Sequence, residues 1–137
     1  MRAARALSAS PSEALPRKER IAKRRDFVRA YEDGTKQFGR FSVVFSCPNG
    51  LGHPRIGITA TRKIGNAVVR NRARRWVREV YRRNRGPIGL SEEPFDFVVN
   101  IKASAAEAGF DEFARDLVRT IRRAAELARQ AQRRPTS

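Results

Sequence analysis

Residues 55–84 read RIGITATRKIGNAVVRNRARRWVREVYRRN, and this stretch decides the fold. Its first part, residues 55–62, alternates isoleucine and alanine with glycine and threonine, which predicts a strand with one apolar face. Over residues 67–84 the apolar positions follow helical spacing instead, and Asn66 stands where a helix N-cap is expected. The stretch therefore predicts a strand, a short loop and an arginine-rich helix in succession.

The segment upstream predicts one helix and one strand. Residues 21–33 place Phe27 and Tyr31 one turn apart on a helix that Gly34 ends. Residues 40–47 are rich in β-branched and aromatic residues and predict a strand that pairs with residues 55–62. On that strand the alternation puts three large side chains on one face, namely Phe41, Val43 and Phe45.

The segment downstream completes the fold. Residues 95–101 form an apolar run that predicts an interior strand, and residues 110–130 predict a long amphipathic helix. The expected architecture is a single-domain α+β sandwich of order α-β-β-α-β-α, with or without one extra short strand, in which helices pack on a small mixed sheet. The domain is expected at residues 17–130, between a flexible basic tail at 1–16 and a flexible tail at 131–137.

The charge of the chain is strongly one-sided. There are 30 Lys and Arg residues against 14 Asp and Glu, a formal net charge of +16, in a chain of 137 residues that is 40% hydrophobic. That length allows one domain with its own core, and no apolar run approaches the roughly 20 residues of a membrane span. Such uncompensated charge predicts a polyanionic partner, nucleic acid above all. Because Cys47 is the only cysteine, no internal disulfide can form, and a cytoplasmic location is expected.

The positive charge is densest in residues 61–86, which hold ten basic residues against Glu79 alone. Guanidinium forks bind phosphate oxygens in bidentate fashion, and the free N–H groups at a helix N-terminus also favour anions. Gly65 lets the backbone approach a ligand closely, and the Asn71 amide suits a base edge or a 2′-hydroxyl. Like charges one turn apart destabilise a helix, so a surface that faces a polyanion accounts for this pattern better than a solvated face does.

The string from Arg62 to Arg75, with Phe27 and Tyr31 upstream and the strand at 95–101 downstream, resembles the protein subunit of bacterial ribonuclease P. The Arg70-Asn71-Arg72 sequence matches the signature of that family, and the resemblance covers residues 16–126. It implies a ribosomal-protein-like fold with a left-handed βαβ crossover. It also implies a non-catalytic subunit that binds the catalytic RNA and assists endonucleolytic removal of the 5′ leader from precursor tRNA.

The resemblance also assigns residues to two RNA sites. The RNA subunit is expected to contact the loop and the basic helix through Arg62, Lys63, Asn66, Arg70, Asn71, Arg72, Arg74, Arg75 and Arg78. The single-stranded leader is expected in a cleft beside the first helix, on Phe27, Tyr31 and Phe45. The partners implied are therefore ribonuclease P RNA and precursor tRNA, with no membrane and no obligate protein partner.

Plainer interpretations apply to several of these features. Aromatic pairs at helical spacing usually pack in a core, and we expect Trp76 and Tyr81 to do so. Asp26 is expected to hold nearby arginines rather than a hydrated metal. No motif of converging carboxylates is present, so no catalytic residue is expected in the protein, and Mg²⁺ is expected mainly on the RNA. A structural RNA-binding protein of the ribosome is the alternative function.

Overall fold

The computed structural model describes residues 15–84, 86 and 93–133, which form a four-stranded sheet with helices on both faces. In chain order the main elements are α1 (Arg24–Asp33), β1 (Thr35–Phe38), β2 (Ser42–Pro48), β3 (Arg55–Thr59), α2 (Ala67–Asn84), β4 (Phe95–Ile101) and α3 (Phe110–Arg133). Short 3₁₀ helices lie at Arg17–Glu19 and Ala103–Glu107. The predicted α+β class is confirmed, and β1 is the extra short strand.

The sheet has the order β1-β2-β4-β3. The predicted pairing of the strand at 40–47 with the strand at 55–62 is wrong, because β2 and β3 lie on either side of β4. β2 runs antiparallel to β4, whereas β3 runs parallel to it and is joined to it through α2. The apolar run of β4 is buried on both faces, which accounts for its central position and confirms it as the interior strand.

The main core lies between one face of the sheet and helices α2 and α3. A smaller cluster fills the other face beneath α1 and includes Cys47 and Phe45. Phe41 belongs to the main core and packs on Phe113, with ring centroids 6.0 Å apart, so the prediction that it shares a face with Phe45 is wrong. Phe41 precedes β2, where the chain is still turning, so strand alternation does not govern its direction.

The chain before α1 is extended. The first helix was predicted from residue 21, but α1 begins at Arg24, because the Ile21 amide donates to the Ile56 carbonyl oxygen at 2.9 Å. Leu15 is buried in the main core, and α3 continues to Arg133. The flexible tails remain predictions, since residues 1–14 and 134–137 lie outside the described part of the chain. No helix in that part is long and apolar enough to cross a membrane.

A fully buried carboxylate joins three separate segments. Asp96 on β4 accepts two hydrogen bonds from Arg55, at 2.8 and 2.7 Å, and one from Arg29 of α1 at 3.1 Å. The Asn49 amide in the β2–β3 turn donates to it at 3.0 Å. The hydrogen bond that Arg55 donates to Asp96 raises the pKa of the Arg55 guanidinium. Asp96 therefore fixes α1, the β2–β3 turn and β3 around the central strand.

We expect Asp96→Asn to destabilise the fold, because both guanidinium groups lose their main counter-charge. The expected loss lies at the lower end of the roughly 3–5 kcal/mol for a broken buried pair, since the Arg29 side chain is partly exposed. Urea unfolding followed by Trp76 fluorescence measures it. The control is Glu112→Gln, which removes an exposed carboxylate 3.6 Å from Arg40 and should cost less than about 1 kcal/mol. Equal losses in the two variants would contradict this role of Asp96.

Candidate nucleic-acid interface

The loop before α2 is shaped by two residues of the predicted motif. Gly65 has a φ of +154°, and a Cβ there would lie 3.1 Å from the Val69 Cβ atom. The Asn66 side chain accepts a hydrogen bond from the Val69 amide at 3.0 Å, so the predicted N-cap is confirmed. The first turn of α2 carries no acidic residue. The loop and the helix N-terminus are therefore ordered and free of local negative charge.

The outer face of α2 carries a large excess of positive charge. Glu79 is the only acidic residue on the helix, and it is engaged by Arg82 at 2.8 Å and Arg83 at 2.6 Å. Within the described residues, no carboxylate forms an ion pair with the nine predicted RNA-subunit contacts. Six of the nine are exposed, namely Arg62, Lys63, Asn66, Asn71, Arg75 and Arg78, and three are half-buried, namely Arg70, Arg72 and Arg74.

The nine residues do not form one uniform surface. Arg72 points toward the segment before α3, where it donates to the Ala106 carbonyl oxygen at 2.9 Å and lies over the Trp76 ring at 5.0 Å. Arg74 and Arg78 of α2 border a pocket together with Phe27 of α1 and residues 56–58 of β3. Part of the basic helix therefore belongs to the same depression as the aromatic residues, which its linear sequence could not show.

Arg20 is a third guanidinium at this pocket, and the sequence motif does not include it. The pKa of Arg78 is lowered, first by partial burial and then by the nearby charges of Arg20 and Arg74. An anion placed among the three groups would relieve this repulsion. The basic composition of residues 17–25 is a weak signal for Arg20, but its bridge to Ile56 on β3 depends on tertiary structure.

The three predicted aromatic residues come together on the α1 face of the sheet. The Tyr31 and Phe45 rings meet edge to face, with centroids 4.9 Å apart. The Tyr31 hydroxyl donates to the Asn100 side-chain oxygen at 2.9 Å and lies 2.9 Å from the Thr59 hydroxyl. Phe27 packs directly over the sheet backbone at Gly57, where an added Cβ would lie 2.8 Å from the ring.

Phe27 and Tyr31 both serve in packing and border an open groove. Tyr31 is 38% exposed, and Phe27 is half-buried against the smaller cluster. The groove between α1 and β3 is lined by Ala22, Arg24, Phe27, Tyr31, Ile58, Thr59, Ala60 and Arg74. It therefore offers aromatic faces, hydroxyl groups and two guanidinium groups side by side, which suits a single-stranded nucleic acid.

The acidic residues near the groove are engaged by arginines. Asp26 is buried and lies 3.4 Å from Arg29 and 3.5 Å from Arg55, which confirms the interpretation that it holds arginines. Among the described residues, no group of three or more His, Cys, Asp and Glu side chains could hold a metal ion.

Cys47 and Tyr81 are both buried in the hydrophobic clusters of the fold. Cys47 is buried beneath α1, and burial raises the pKa of its thiol, which opposes formation of the reactive thiolate. Burial likewise raises the pKa of the Tyr81 hydroxyl, and that side chain lies in the main core as predicted. Trp76 packs on Phe110 and Phe113 at the edge of the same core. None of these groups faces the groove.

A small α+β domain with an unpaired basic helix beside an aromatic groove defines a nucleic-acid-binding protein. Comparison with known families makes this specific. The family model described as Ribonuclease P matches residues 15–125, so the chain belongs to the family of the bacterial ribonuclease P protein subunit. It is thus assigned to tRNA processing as a ribonuclease P protein component, and the ribosomal alternative is set aside.

Individual relatives agree with this assignment. The ribonuclease P protein component of Thermotoga maritima is 42% identical over 88 residues, which cover 64% of this chain and 73% of that protein. The corresponding protein of Syntrophus aciditrophicus is 36% identical over 103 residues, covering 75% and 84%. The solved ribonuclease P protein of Staphylococcus aureus aligns with a TM-score of 0.70 at 32% identity, covering 77% of this chain and 94% of that one. The solved Thermotoga maritima protein aligns with a TM-score of 0.68 at 34% identity, covering 77% and 96%.

Two substitutions at Asn66 test its capping role. Asn66→Ala removes the cap and should lower the free energy of unfolding by about 1 kcal/mol. Asn66→Asp keeps a capping oxygen and should leave stability within about 0.5 kcal/mol of the parent, while placing a negative charge on the basic face. Denaturant unfolding measures both. Equal destabilisation by the two substitutions would contradict the cap as the structural role of Asn66.

Proposed function

We propose that this chain docks on the RNA subunit of ribonuclease P through the loop 62–66 and the exposed face of α2, and holds the 5′ leader of precursor tRNA in the groove beside α1. The single observation that carries the proposal is the shared pocket of Arg74, Arg78 and Phe27, because it joins the basic helix to the aromatic groove. One continuous surface can then contact both RNAs.

Docking on the RNA subunit is supported by the charge of α2. The exposed residues Arg62, Lys63 and Arg75 have no carboxylate partner among the described residues, so phosphate contacts cost no internal ion pair. Release of counterions from the RNA then provides much of the affinity, which must fall steeply with salt. Arg72 is proposed in a positioning role, since its guanidinium is held by the Ala106 carbonyl oxygen and the Trp76 ring.

Binding of the leader is supported by the groove chemistry. Phe27 and Tyr31 line the groove and offer ring surfaces that can stack on any base, while Phe45 supports the Tyr31 ring edge to face, so leaders of different sequence can be accommodated. Arg74 at the same groove can neutralise a leader phosphate. The Tyr31 hydroxyl is already hydrogen-bonded to the sheet, which holds the ring in place before RNA arrives. The groove is thus preorganised for a flexible single strand.

The proposal assigns no bond-breaking step to the protein. Catalysis and most of the magnesium are assigned to the RNA subunit, and the protein contributes affinity and alignment of the substrate. In support, Asp26 and Asp96 are occupied by arginines and Asp116 accepts backbone amides. Cleavage of precursor tRNA by the purified protein without RNA, at any magnesium concentration, would overturn this part of the proposal.

The docking face is tested with two arginine substitutions of equal charge change. Arg75→Ala on α2 should weaken binding to a bacterial ribonuclease P RNA and lower the slope of log K against log salt by about 0.7–0.9. Arg122→Ala removes an exposed arginine from α3 and should leave the slope unchanged. Filter binding over a salt series measures both. Equal effects would indicate a non-specific charge effect and contradict docking through α2.

The leader site is tested with Phe27→Leu, which keeps apolar bulk over Gly57 but removes the ring. In the reconstituted holoenzyme we expect binding of precursor tRNA to weaken about fivefold or more, the loss of one stacked base, while binding of mature tRNA stays unchanged. Urea unfolding of the variant checks that the fold persists. Equal weakening for precursor and mature tRNA would contradict the leader assignment.

A further inference from the structure

Phe38 is an exposed aromatic side chain that the proposed function does not use. It ends the edge strand β1 and is 62% exposed, whereas Tyr31 at 38% is the only other exposed aromatic residue in the described chain. Two ammonium groups lie near its ring, with the Lys36 and Lys102 Nζ atoms 5.6 and 5.9 Å from the ring centroid. An exposed ring bordered by cations favours a ligand that has both a flat apolar surface and negative charge.

The strand register places Phe38 on the same face of the sheet as the groove. Phe38 pairs with Val43, Val43 with Asn100, and Asn100 with Thr59, so the four residues form one row across all four strands. The Tyr31 hydroxyl contacts the last two members of this row. The row therefore begins at the groove beside α1 and ends at Phe38.

A second contact row runs beside the first. Lys36 pairs with Phe45 across β1 and β2, and its Nζ atom lies 5.4 Å from the Phe45 ring centroid as well as near Phe38. Phe45 in turn meets Tyr31 edge to face. Aromatic rings and ammonium groups thus extend from Tyr31 to the sheet edge, and the Lys36 ammonium lies between the rings of Phe45 and Phe38.

The turn that carries Phe38 is firmly attached to the rest of the fold. Asp116 of α3 accepts the Arg40 amide at 2.9 Å and the Phe41 amide at 3.2 Å. The Lys102 ammonium donates to the Gly39 carbonyl oxygen at 2.7 Å. A Cβ at Gly39 would lie 2.2 Å from the Thr120 hydroxyl oxygen, so the backbone packs directly on α3. The exposure of Phe38 is therefore a fixed feature of the fold and not fraying of an edge strand.

We propose that Phe38, with Lys36 and Lys102, is a distal subsite that stacks a base of single-stranded RNA. This inference rests on the proposed function, because the RNA is the leader that occupies the groove at Phe27 and Tyr31. Three strand spacings separate β3 from β1, a distance of about 14 Å, which is about four stacked bases at 3.4 Å each. A leader must therefore be several nucleotides longer than the groove to reach Phe38.

A second copy of this chain is the competing occupant of an exposed edge strand. Lysines on an edge strand oppose such pairing, because a two-fold contact through β1 would bring Lys36 toward the same residue of the partner copy. Among the described residues, no carboxylate forms an ion pair with Lys36 or Lys102. The local charge thus favours an anionic polymer over self-association.

The test uses the holoenzyme reconstituted with a bacterial ribonuclease P RNA and precursor tRNAs whose leaders are shortened stepwise. Phe38→Ala should weaken binding of long-leader substrate about fivefold and leave short-leader substrate unchanged. Phe38→Trp should retain the affinity, because it keeps a stacking surface. Leu51→Ala, which truncates another exposed apolar side chain just beyond the opposite end of β2, should have no effect.

The outcomes separate this subsite from the groove itself. Loss of long-leader affinity in Phe27→Leu but not in Phe38→Ala would overturn the distal subsite alone. If Phe38→Ala weakened binding of long-leader and short-leader substrates equally, the distal subsite would also be overturned. If the holoenzyme with the unsubstituted protein bound precursor tRNA with the same affinity at every leader length, both the leader groove and the distal subsite would be overturned. A dimer in sedimentation velocity that Phe38→Ala converts to monomer would assign Phe38 to self-association instead.

Discussion

The buried ion cluster around Asp96 is the constraint on which the rest of the structure depends. An unpaired carboxylate inside a sheet is strongly unfavourable, so Arg55, Arg29 and Asn49 must all converge on it. These partners come from β3, α1 and the turn between β2 and β3. Their convergence anchors α1 and the β2–β3 turn to the central strand, and the groove lies between α1 and β3.

The arginines of this protein divide into structural and exposed groups that composition cannot distinguish. Arg29 and Arg55 neutralise buried acids, and Arg72 braces α2 against the segment before α3. Arg75 and its exposed neighbours have no such partner in the described chain. The count of 30 Lys and Arg residues therefore overstates the number of cations available to RNA, and the position of each guanidinium matters more than the total.

Much of the fold follows from sequence periodicity, and the failures have physical causes. Residues 67–84 were predicted as a helix and form α2 with the same bounds, because the apolar stripe, the Asn66 cap and the motif all agree. Strand pairing was wrong because alternation identifies a strand face but not its neighbour. The grouping of Arg74 and Arg78 with Phe27 needed the tertiary placement of α1, and Arg20 joins them through a bridge that no spacing rule describes.

The strand order also bears on how the chain folds as it is synthesised. β2 and β3 are consecutive in sequence, yet each pairs with β4, which follows α2. Until residue 101 has emerged, β2 has only the short strand β1 beside it, and β3 has no partner strand among those described. A truncated nascent chain therefore exposes two strand edges and an uncovered apolar face. Insertion of the most apolar strand closes both edges at once, so the groove and the basic helix reach their final arrangement together only after β4 has been synthesised.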